Sequence, residues 1–408
     1  MISMKKIIYR IQEIGEICGG GTPRTTISEY WDGDIPWISP DDLTDYKSVY
    51  IKNGKNFITK LGYKNSSTKM LPKGTLLFSS RAPIGYIAIA ENPICTNQGF
   101  KSIILNDKVN NLYFYYWLKC NLNYIKLFGT GATFPEISGS RMKRIKVEIF
   151  ENIEYQQKIA MILGKYDQLI ENNNKRIKLL EQMAEGLYKE WFVRFRFPGY
   201  EKTCFVDGIP EGWKYKKFSK CFNTSRGISY SSEEIECEYG MNLINLKNIQ
   251  SYGGFRRDGT KKYSGKYKKD QTVKYKDLIM GVTDMTQDRR TVGHVALVPN
   301  IEGVISADLI KLDSDINNLF WYCLFRYGFY SKMFSQFGNG ANVIHLKPQS
   351  IKNQKILVPT LELIEKFVKK VELIIDEIEI LNAKNELLAE QRDLLLPRLM
   401  SGKIDLED

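Results

Sequence analysis

The segment GGGTPRT (residues 19–25) places flexible glycines before side chains that can form hydrogen bonds. Similar polar segments follow at residues 79–81 (SSR) and 96–99 (TNQG). Arginine can form two hydrogen bonds with guanine in the major groove of DNA, and asparagine or glutamine can do so with adenine. The three segments therefore predict base contacts from one set of residues: Thr22, Arg24, Thr25, Ser79, Ser80, Arg81, Asn97 and Gln98. The alternative is that these residues serve only their own turns.

The C-terminal half of the chain carries a second polar set. The segment TDMTQDRR (residues 283–290) offers Asp284, Gln287, Arg289 and Arg290, and Ser306 and Asp308 follow it. The segment at 255–270 contains five lysines and two arginines among aromatic residues and glycines. That composition is typical of a loop that binds phosphate groups. Its candidate DNA-binding residues are Arg256, Arg257, Lys261 and Lys262.

Sequence patterns typical of catalysis are absent. The acidic residues of segment 40–47 lie too close together to occupy adjacent strands as in a nuclease, so we expect them to form a turn. No GxxxxGK[ST] phosphate loop occurs, and FGTG at 128–131 lacks the setting of a nucleotide-binding loop. The two histidines, His294 and His345, are far apart, and the seven cysteines form no CxxC pair. We therefore expect no catalytic residue, metal, disulfide or cofactor in this chain.

The formal net charge of +12 favours an anionic partner, and nucleic acid is the commonest such partner for a cytoplasmic protein. Part of this charge can instead reflect a composition rich in Lys, Asn and Ile. No run of 18 apolar residues occurs, and the basic start MISMKKIIYR leads into no apolar stretch. We therefore expect a cytoplasmic protein that does not bind a membrane.

Two loops of nearly the same sequence, GTGATFPEI at 129–137 and GNGANVIHL at 338–346, lie 209 positions apart. The same offset continues without a gap to about residue 190. Upstream it slips by a residue or so, and RAPIGYIAI (81–89) falls on RTVGHVALV (290–298). This alignment makes Arg81 and Arg290 equivalent. The chain is therefore predicted to contain two copies of one module.

Each predicted module has a globular part and a helical part. Short apolar runs separated by Gly, Pro, Asn and Asp fill residues 1–150 and 200–360, a pattern typical of a strand-rich α+β or α/β domain. Residues 151–192 and 361–396 instead show apolar residues in alternating steps of four and three, which is the heptad pattern of a coiled coil. Each heptad series contains one asparagine, and the two asparagines occupy opposite heptad classes.

Opposite heptad classes face each other when helices run antiparallel, so Asn173 is predicted to pair with Asn385. The same register places Trp191 opposite Phe367, and Tyr166 opposite Arg392 in a cation–π contact. Paired asparagines would fix register and orientation, because a buried amide is costly unless it is paired. A rod of roughly 36 residues would be about 54 Å long, or about 16 base pairs of DNA. The alternative is that each helix packs only on its own domain.

The segment GGGTPRTTISEYWDGDIPWISPDDL (19–43) resembles the opening of the specificity subunits of type I restriction–modification systems. RAPIGYIAI, TNQGF and VTDMTQDRR are similar to segments of their target-recognition domains. EYQQKIAMILGKYDQLIENNNKRIKLLEQMAEGLYKEWF and EQRDLLLPRLMSGKIDL resemble their two conserved helical regions. The resemblance covers almost the whole chain. It implies target-recognition domains at 1–150 and 198–360, with helical regions at 151–197 and 361–408.

The resemblance further implies a non-catalytic subunit that reads an asymmetric bipartite site in double-stranded DNA. In this family the subunit joins methyltransferase subunits, which bring S-adenosylmethionine, to motor-nuclease subunits, which use ATP and Mg²⁺. The second module lacks the GGTP and NQG segments, so the two half-sites are expected to differ. The specificity subunit of a type IIB-like or solitary methyltransferase system is the alternative. Missing motifs disfavour a fused enzyme, and the duplicated domains disfavour a scaffold that binds no DNA.

Overall fold

The computed structural model describes residues 5–131, 135–235, 238–404 and 406, so part of the repeated loop at 129–137 lies outside the described residues. The chain divides into two compact units. Unit 1 comprises Met1–Asn174 and Lys384–Asp408, and unit 2 comprises Lys175–Ala383. Both units combine strands with helices, which confirms the predicted α+β class. The boundaries between the units fall inside two long helices, and the four-part division made from the sequence stays a prediction.

Unit 1 is built on a central sheet whose middle strand is buried on both faces. Its strands are β1 (Lys6–Arg10), β2 (Gly15–Gly19), β3 (Trp31–Ile38), β4 (Tyr50–Ile51), β5 (Asn56–Ile58), β6 (Leu76–Ser80), β7 (Ile84–Ala90), β8 (Cys95–Thr96), β9 (Lys101–Leu105) and β10 (Lys146–Phe150). Its short helices are α1 (Ile11–Ile14), α2 (Lys60–Lys64), α3 (Asn111–Cys120), α4 (Leu122–Lys126) and α5 (Gly139–Arg144). The sheets have the orders β2-β9-β6-β7-β4, β5-β3-β8 and β1-β10. Successive side chains of β6 enter different core clusters, Leu76 and Phe78 on one face and Leu77 on the other.

Unit 2 repeats this plan. Its strands are β11 (Phe205–Val206), β12 (Ile209–Pro210), β13 (Lys214–Lys217), β14 (Asn223–Arg226), β15 (Met241–Ile244), β16 (Lys261–Tyr263), β17 (Thr272–Val273), β18 (Leu278–Gly281), β19 (Thr283–Asp284), β20 (Val295–Leu297), β21 (Gly303–Ile305), β22 (Leu309–Asp313), β23 (Ile344–His345) and β24 (Lys355–Val358). Its short helices are α7 (Phe218–Cys221), α8 (Asn318–Tyr327), α9 (Tyr330–Ser335) and α10 (Pro348–Ile351). The larger sheets have the orders β14-β22-β18-β20 and β16-β15-β21-β17, and the smaller ones pair β13 with β24, β11 with β12, and β19 with β23.

Equivalent backbone hydrogen bonds show that the two units are copies of one module. The N–H of Ile11 donates to the carbonyl of Ile145 over 3.0 Å in unit 1. In unit 2, Phe218 donates to the carbonyl of Gln354 over 2.8 Å. Both bonds join a short helix to the residue before the last strand of the unit, β10 or β24. The predicted internal repeat is therefore present in the fold.

Two long helices complete the chain, α6 (Ile153–Tyr188, 36 residues) and α11 (Leu361–Ser401, 41 residues). A short π-helical turn, Lys189–Val193, follows α6. The heptad pattern extends over 361–396, and α11 continues beyond it through Pro397. Leu399 and Met400 are buried in the core of unit 1, and this packing stabilises the last turn although proline lacks an N–H donor.

Within each unit the two helices run antiparallel, as the heptad pattern predicts. In unit 1 the side-chain amide of Asn173 donates to the amide oxygen of Asn385 over 2.9 Å. In unit 2 the rings of Trp191 and Phe367 lie 5.8 Å apart. Both pairs have the register expected from the sequence. The ends of the helices also belong to the cores of their units, so pairing and packing on the domain occur together.

The predicted contact between Tyr166 and Arg392 is wrong. Arg392 forms an ion pair with the neighbouring residue Asp167, which also accepts a hydrogen bond from the hydroxyl of Tyr116. A carboxylate offers a full charge and charged hydrogen bonds, whereas an aromatic face offers only its quadrupole, so the guanidinium prefers the carboxylate. Burial lowers the pKa of Arg392, but the charge and hydrogen bonds of Asp167 and Asp393 outweigh it and the pKa is raised overall.

In the described part of the chain, every helix is too short or too polar to cross a lipid bilayer.

Candidate DNA interface

Four segments of unit 1 meet through backbone hydrogen bonds. The N–H of Gly21 donates to the carbonyl of Thr96 over 2.9 Å, and that of Ser80 to Gly99 over 2.7 Å. The N–H of Ile137 then donates to the carbonyl of Ser80 over 3.0 Å. We call residues 20–25, 79–81, 96–99 and 135–137 the first loop cluster. It brings together the three segments that carry the N-terminal candidates for base contacts.

Gly20 allows the close approach of two backbones in this cluster. A Cβ atom at this position would overlap the carbonyl oxygens of Thr96 and Asn97. The indole N–H of Trp37 donates to the carbonyl of Gly21 over 2.9 Å and fixes the other side of the glycine segment. The glycine therefore serves packing between loops.

Four of the predicted residues present polar groups at the surface of the first loop cluster. Arg24, Thr25 and Gln98 are exposed, and Thr22 is half-buried. The hydroxyl of Thr22 donates to the amide oxygen of Gln98, which joins the glycine segment to the TNQG segment.

Lys101 and Glu136 also belong to this site, although neither was predicted from the sequence. The carboxylate of Glu136 forms ion pairs with Arg81 (3.4 Å) and Lys101 (3.3 Å). The ammonium of Lys101 lies 3.4 Å from the hydroxyl oxygen of Ser80. Two cations share one carboxylate, so a positive charge remains that suits a phosphate group. The repeated loop at 129–137 was the signal that could have identified Glu136.

Ser79 and Ser80 are placed for structure and not for base contacts. Both side chains are 0% exposed. The hydroxyl of Ser79 donates to the carbonyl of Pro83 and accepts from the N–H of Tyr86, each over 2.7 Å. Asn97 is half-buried, and its amide oxygen accepts from the N–H of Gly99 over 2.8 Å. For these three residues the turn-stabilising alternative accounts for the observed contacts.

Unit 2 contains an equivalent set of segments, which we call the second loop cluster (residues 227–232, 281–291, 305–308 and 343–346). The N–H of Ile228 donates to the carbonyl of Ile305, that of Val282 to Asp308, and that of Leu346 to Val282, each over 2.8 Å. These bonds match the three that define the first loop cluster. Each copy of the repeated glycine loop therefore leads into the same place in its own unit.

Gly227 is the counterpart of Gly20, because a Cβ atom there would overlap the carbonyl oxygens of Ile305 and Ser306. The sequence predicts that the second module lacks the glycine segment, but the structure shows that one glycine remains at the position where the backbones approach. Ser229 and Tyr230 follow it where unit 1 has Thr22 and Pro23. Sequence reasoning missed this segment because only the glycine is shared.

The counterpart of Arg81 is Thr283, and the predicted equivalence of Arg81 with Arg290 is wrong. Arg81 follows Ser80, and Thr283 follows Val282, which makes the same pair of backbone hydrogen bonds as Ser80. The hydroxyl of Thr283 lies 3.5 Å from Nδ1 of His345, where unit 1 has the ion pair between Arg81 and Glu136. The alignment failed because unit 2 has additional residues between the two strands that it compared.

The other predicted residues of segment 283–290 fall into two groups, one buried and one nearer the surface. Asp284 is 2% exposed, and its carboxylate accepts hydrogen bonds from Thr286 and Thr291, so it cannot contact a base without unfolding the turn. The remaining side chains lie further out. Gln287 donates to the carbonyl of Ala341, Arg289 donates to the carbonyl of Ser335 over 2.7 Å, and Arg290 pairs with Asp288.

The basic segment at 255–270 likewise contains both partly buried and exposed candidate residues. Arg257 is largely buried and forms an ion pair with Glu379 on α11, so it stabilises unit 2. Arg256 bonds to Asp258 over 3.0 Å and is half-buried. Lys261 and Lys262 are exposed on β16, which is the edge strand of its sheet. The ammonium of Lys262 donates to the amide oxygen of Asn242 over 3.1 Å, and both lysines lie at the surface.

The structure shows no arrangement typical of catalysis in the described residues. They contain no group of three or more His, Cys, Asp or Glu residues that could bind a metal ion. Asp42 accepts hydrogen bonds from the N–H groups of Ser39 (2.8 Å) and Lys55 (2.9 Å), which confirms the predicted turn. Burial, with a contribution from Arg326, lowers the pKa of His294 to about 4, so this imidazole is neutral at pH 7.

Comparison with known proteins identifies the family. Residues 5–182 match the family described as the type I restriction modification DNA specificity domain. The type I restriction enzyme MjaIX specificity subunit of Methanocaldococcus jannaschii is 34% identical, over 98% of this chain and 94% of that protein. This chain belongs to the type I restriction enzyme specificity subunits. The expected family is confirmed, and with it the expectation of a non-catalytic subunit.

A second curated relative and a solved structure are also similar to this chain. The EcoR124I/EcoR124II specificity subunit of Escherichia coli is 29% identical over 46% of this specificity subunit and 45% of its own length. The crystal structure of the S subunit of a type I restriction–modification system from M. genitalium has a TM-score of 0.62 and 16% identity, and the comparison covers 98% of this chain and 96% of that one. At that identity the similarity supports the fold alone.

Proposed function

We propose that this specificity subunit reads an asymmetric bipartite site in double-stranded DNA, with one half-site read by each unit. The observation that carries the proposal is the duplicated loop cluster. The backbone hydrogen bonds are the same in both clusters, whereas the exposed side chains differ, as two readers of different sequences require. In unit 1 the proposed base-reading side chains are Arg24, Arg81 and Gln98, and in unit 2 they are Gln287 and Arg290.

The exposed lysines of unit 2 have a different proposed role. Lys261 and Lys262 lie on an edge strand and would contact phosphate groups, which carry no sequence information. They add to affinity for any DNA, in keeping with the net charge of +12. The function thus separates into base contacts at the loop clusters and phosphate contacts on β16.

We further propose that methyltransferase and motor-nuclease subunits assemble with this subunit in the cytoplasm, and that S-adenosylmethionine, ATP and Mg²⁺ bind to those partners. A face of α11 supports this proposal. Within unit 1, Leu387 and Leu394 lie seven residues apart and are 58% and 59% exposed. Apolar residues at this spacing are typical of a helix that packs against another helix.

Arg81→Ala tests base reading in unit 1. The complex with its partner subunits is purified, and the sites that it methylates are mapped by sequencing. We expect discrimination at one half-site to fall about tenfold or more, because a paired arginine–guanine contact contributes about 1–3 kcal/mol. Arg398→Ala is the matched control, since Arg398 is an exposed arginine on α11 in the same unit. An unchanged site, or equal loss at both half-sites, contradicts the proposal.

The double variant Lys261→Ala/Lys262→Ala tests the phosphate contacts. We expect weaker binding to every DNA sequence, and a plot of log affinity against log salt that is shallower by about 2, because each lost phosphate contact removes about 0.9. Lys369→Ala/Lys370→Ala is the control, since these lysines are a neighbouring exposed pair in unit 2. A change in sequence preference would show that the lysines read bases instead.

Leu387→Glu/Leu394→Glu tests assembly. Two carboxylates on this face should prevent apolar packing, and we expect the methyltransferase subunit to be lost from the complex on size-exclusion chromatography. Lys384→Glu/Gln391→Glu places the same charges at other exposed positions of the same stretch of α11 and should leave assembly intact. Retention of the methyltransferase subunit by the leucine variant would show that partners bind elsewhere.

A further inference from the structure

The connection between two paired strands differs between the units. In unit 1, β6 and β7 are joined by residues 81–83, whereas in unit 2 residues 282–294 join β18 and β20. The additional residues belong to the second loop cluster. Unit 2 therefore presents a loop, residues 285–290, that has no counterpart in unit 1. We call it the unit 2 loop.

The buried carboxylate of Asp284 fixes the start and the end of this loop. It accepts hydrogen bonds from the N–H and the hydroxyl of Thr286, over 2.7 and 2.8 Å. It also accepts from the N–H and the hydroxyl of Thr291, over 2.6 and 2.9 Å, and from the N–H of Val292 over 3.3 Å. Burial raises the pKa of Asp284, but these bonds outweigh it and the pKa is lowered overall, so the carboxylate is ionised at pH 7.

Further hydrogen bonds attach the rest of the loop to its surroundings. The guanidinium of Arg289 donates to the carbonyl of Ser335 over 2.7 Å. The side chain of Gln287 donates to the carbonyl of Ala341, and the carbonyl of Arg290 accepts from the N–H of Tyr252 over 2.6 Å. Most residues of the loop thus form hydrogen bonds to the rest of unit 2, and a side chain that the loop exposes has a defined position.

Met285 is the large apolar side chain that this loop exposes. It is 69% exposed, although the residues on both sides of it are tied down by the hydrogen bonds of Asp284. The other exposed residues of the loop are polar, namely Thr286, Gln287, Asp288 and Arg290. An ordered apolar group among hydrogen-bonding groups matches the major-groove edge of a base pair that contains thymine, because the C5-methyl group of thymine is the apolar feature of that edge.

We propose that Met285 contacts the C5-methyl group of a thymine in the half-site read by unit 2, and so determines the preference for thymine at that position. The inference rests on the proposed function of this subunit as a DNA reader. It goes beyond that function in naming the residue, the base and the chemical group. A residue that removes one methyl group from water contributes a factor of roughly four in affinity, because burial of one such group is worth about 0.8 kcal/mol.

Replacement of thymine by uracil removes only the methyl group and provides the test. The full complex with its partner subunits is titrated with duplexes that carry the mapped recognition site, each with one thymine of the site replaced by uracil. We expect the wild-type complex to bind one of these duplexes about fourfold more weakly than the unmodified duplex. Met285→Ala should bind the two duplexes equally, with the affinity that the wild type shows for the uracil duplex.

Met183→Ala is the matched control, because Met183 is 59% exposed on α6 in the same unit and lies outside the second loop cluster. It should retain the wild-type difference between thymine and uracil. The inference is overturned if Met285→Ala still distinguishes the two duplexes, or if the wild type distinguishes none of them. Failure of the proposed function has a separate signature, since the wild-type complex would then not prefer its mapped site over unrelated DNA.

Discussion

Gly20 in unit 1 and Gly227 in unit 2 occupy the same place in the two loop clusters, but the residues that follow them differ. In unit 1 the sequence continues through Thr22 to Arg24, and in unit 2 through Ser229 to Ser231. The backbone approach that requires a glycine is kept, whereas the side chains at the surface are replaced. In this module the glycine that the fold requires is therefore separate from the surface side chains, so the side chains proposed to contact bases can change without a change in fold.

Substitution of these glycines tests the shared part of the comparison. Gly20→Ala and Gly227→Ala each place a Cβ atom against two carbonyl oxygens, and the neighbouring backbone must move. We expect each variant to destabilise its own unit by about 3 kcal/mol, which is the upper range for overpacking. Denaturant unfolding measures this change. Gly19→Ala is the control, because no atom lies within 4 Å of its added Cβ, and equal loss in that variant would contradict the argument.

Asp167 in unit 1 and Asp376 in unit 2 are a second equivalent pair under the 209-residue offset, and their environments differ. Asp167 is 9% exposed and forms its ion pair with Arg392. Asp376 is 41% exposed and pairs with Lys276 over 2.8 Å. Water screens the pair of Asp376 more than the pair of Asp167. The two equivalent aspartates therefore contribute differently to the stability of their units.

Removal of the cation from each pair sharpens this comparison. Arg392→Met leaves the carboxylate of Asp167 buried without its cation, and we expect a loss of about 3 kcal/mol in the free energy of unfolding. Lys276→Met should cost about 1 kcal/mol or less, because its carboxylates are accessible to water. Denaturant unfolding of both variants gives the two values. Equal losses would show that burial does not decide the strength of these pairs.

The sequence was sufficient for features that depend on long patterns. The heptads predicted the antiparallel register, including Asn173 with Asn385, and the offset of 209 predicted the repeat. The sequence was not sufficient where two adjacent residues are both possible partners of the same side chain. Tyr166 and Asp167 are adjacent, and only the packing of α3 on the helix pair places Asp167 beside Arg392 and the hydroxyl of Tyr116.

The loop clusters were predicted in part, for a related reason. Polar residue types identified segments that the structure brings together, but burial separates Ser80 and Asp284 from the exposed Gln98 and Gln287. Burial in a loop depends on contacts with segments distant in sequence and leaves no local pattern. The additional residues of the unit 2 loop also disturbed the alignment, which paired Arg81 with Arg290 although the hydrogen bonds pair it with Thr283.

His294 gives unit 2 a dependence on pH that unit 1 lacks at this position, where Tyr86 is equivalent. Its pKa is lowered to about 4, mainly by burial and also by Arg326, while an unfolded histidine titrates near pH 6.5. Between these values the unfolded chain binds more protons, so stability falls as the pH falls from about 6.5 to about 4. We expect a loss of about 3 kcal/mol from this residue across that window.

Unfolding of the wild type and His294→Gln at several pH values measures this contribution. The variant should lose less stability between pH 6.5 and pH 4, whatever its stability at pH 7. The slope is the diagnostic quantity, because carboxylates elsewhere contribute equally to both proteins. Parallel curves for the two proteins would place the acid sensitivity in other groups.

The contacts between the two long helices also differ between the units, since they are apolar in one unit and polar in the other. In unit 2 it is joined by rings, as in Trp191 with Phe367, whereas in unit 1 it carries the amide pair of Asn173 with Asn385. The side-chain nitrogen of Asn385 donates to the amide oxygen of Asn174 over 2.9 Å, so both the oxygen and the nitrogen of the Asn385 amide are hydrogen-bonded. Apolar contacts tolerate a small shift along the helix, but a pair of amides does not, because a shift breaks its hydrogen bonds.

Asn173→Leu should therefore change register more than stability. The asparagine is half-buried, so we expect the free energy of unfolding to change by no more than about 1 kcal/mol, while Asn385 loses one partner. Hydrogen exchange of the α11 amides around residue 385 should become faster, since the helices can shift relative to each other more easily. Asn172→Leu is the control, because Asn172 is exposed beside the heptad positions. If exchange is equal in the two variants, the Arg392–Asp167 ion pair is sufficient to fix the register, and the amide pair is not its determinant.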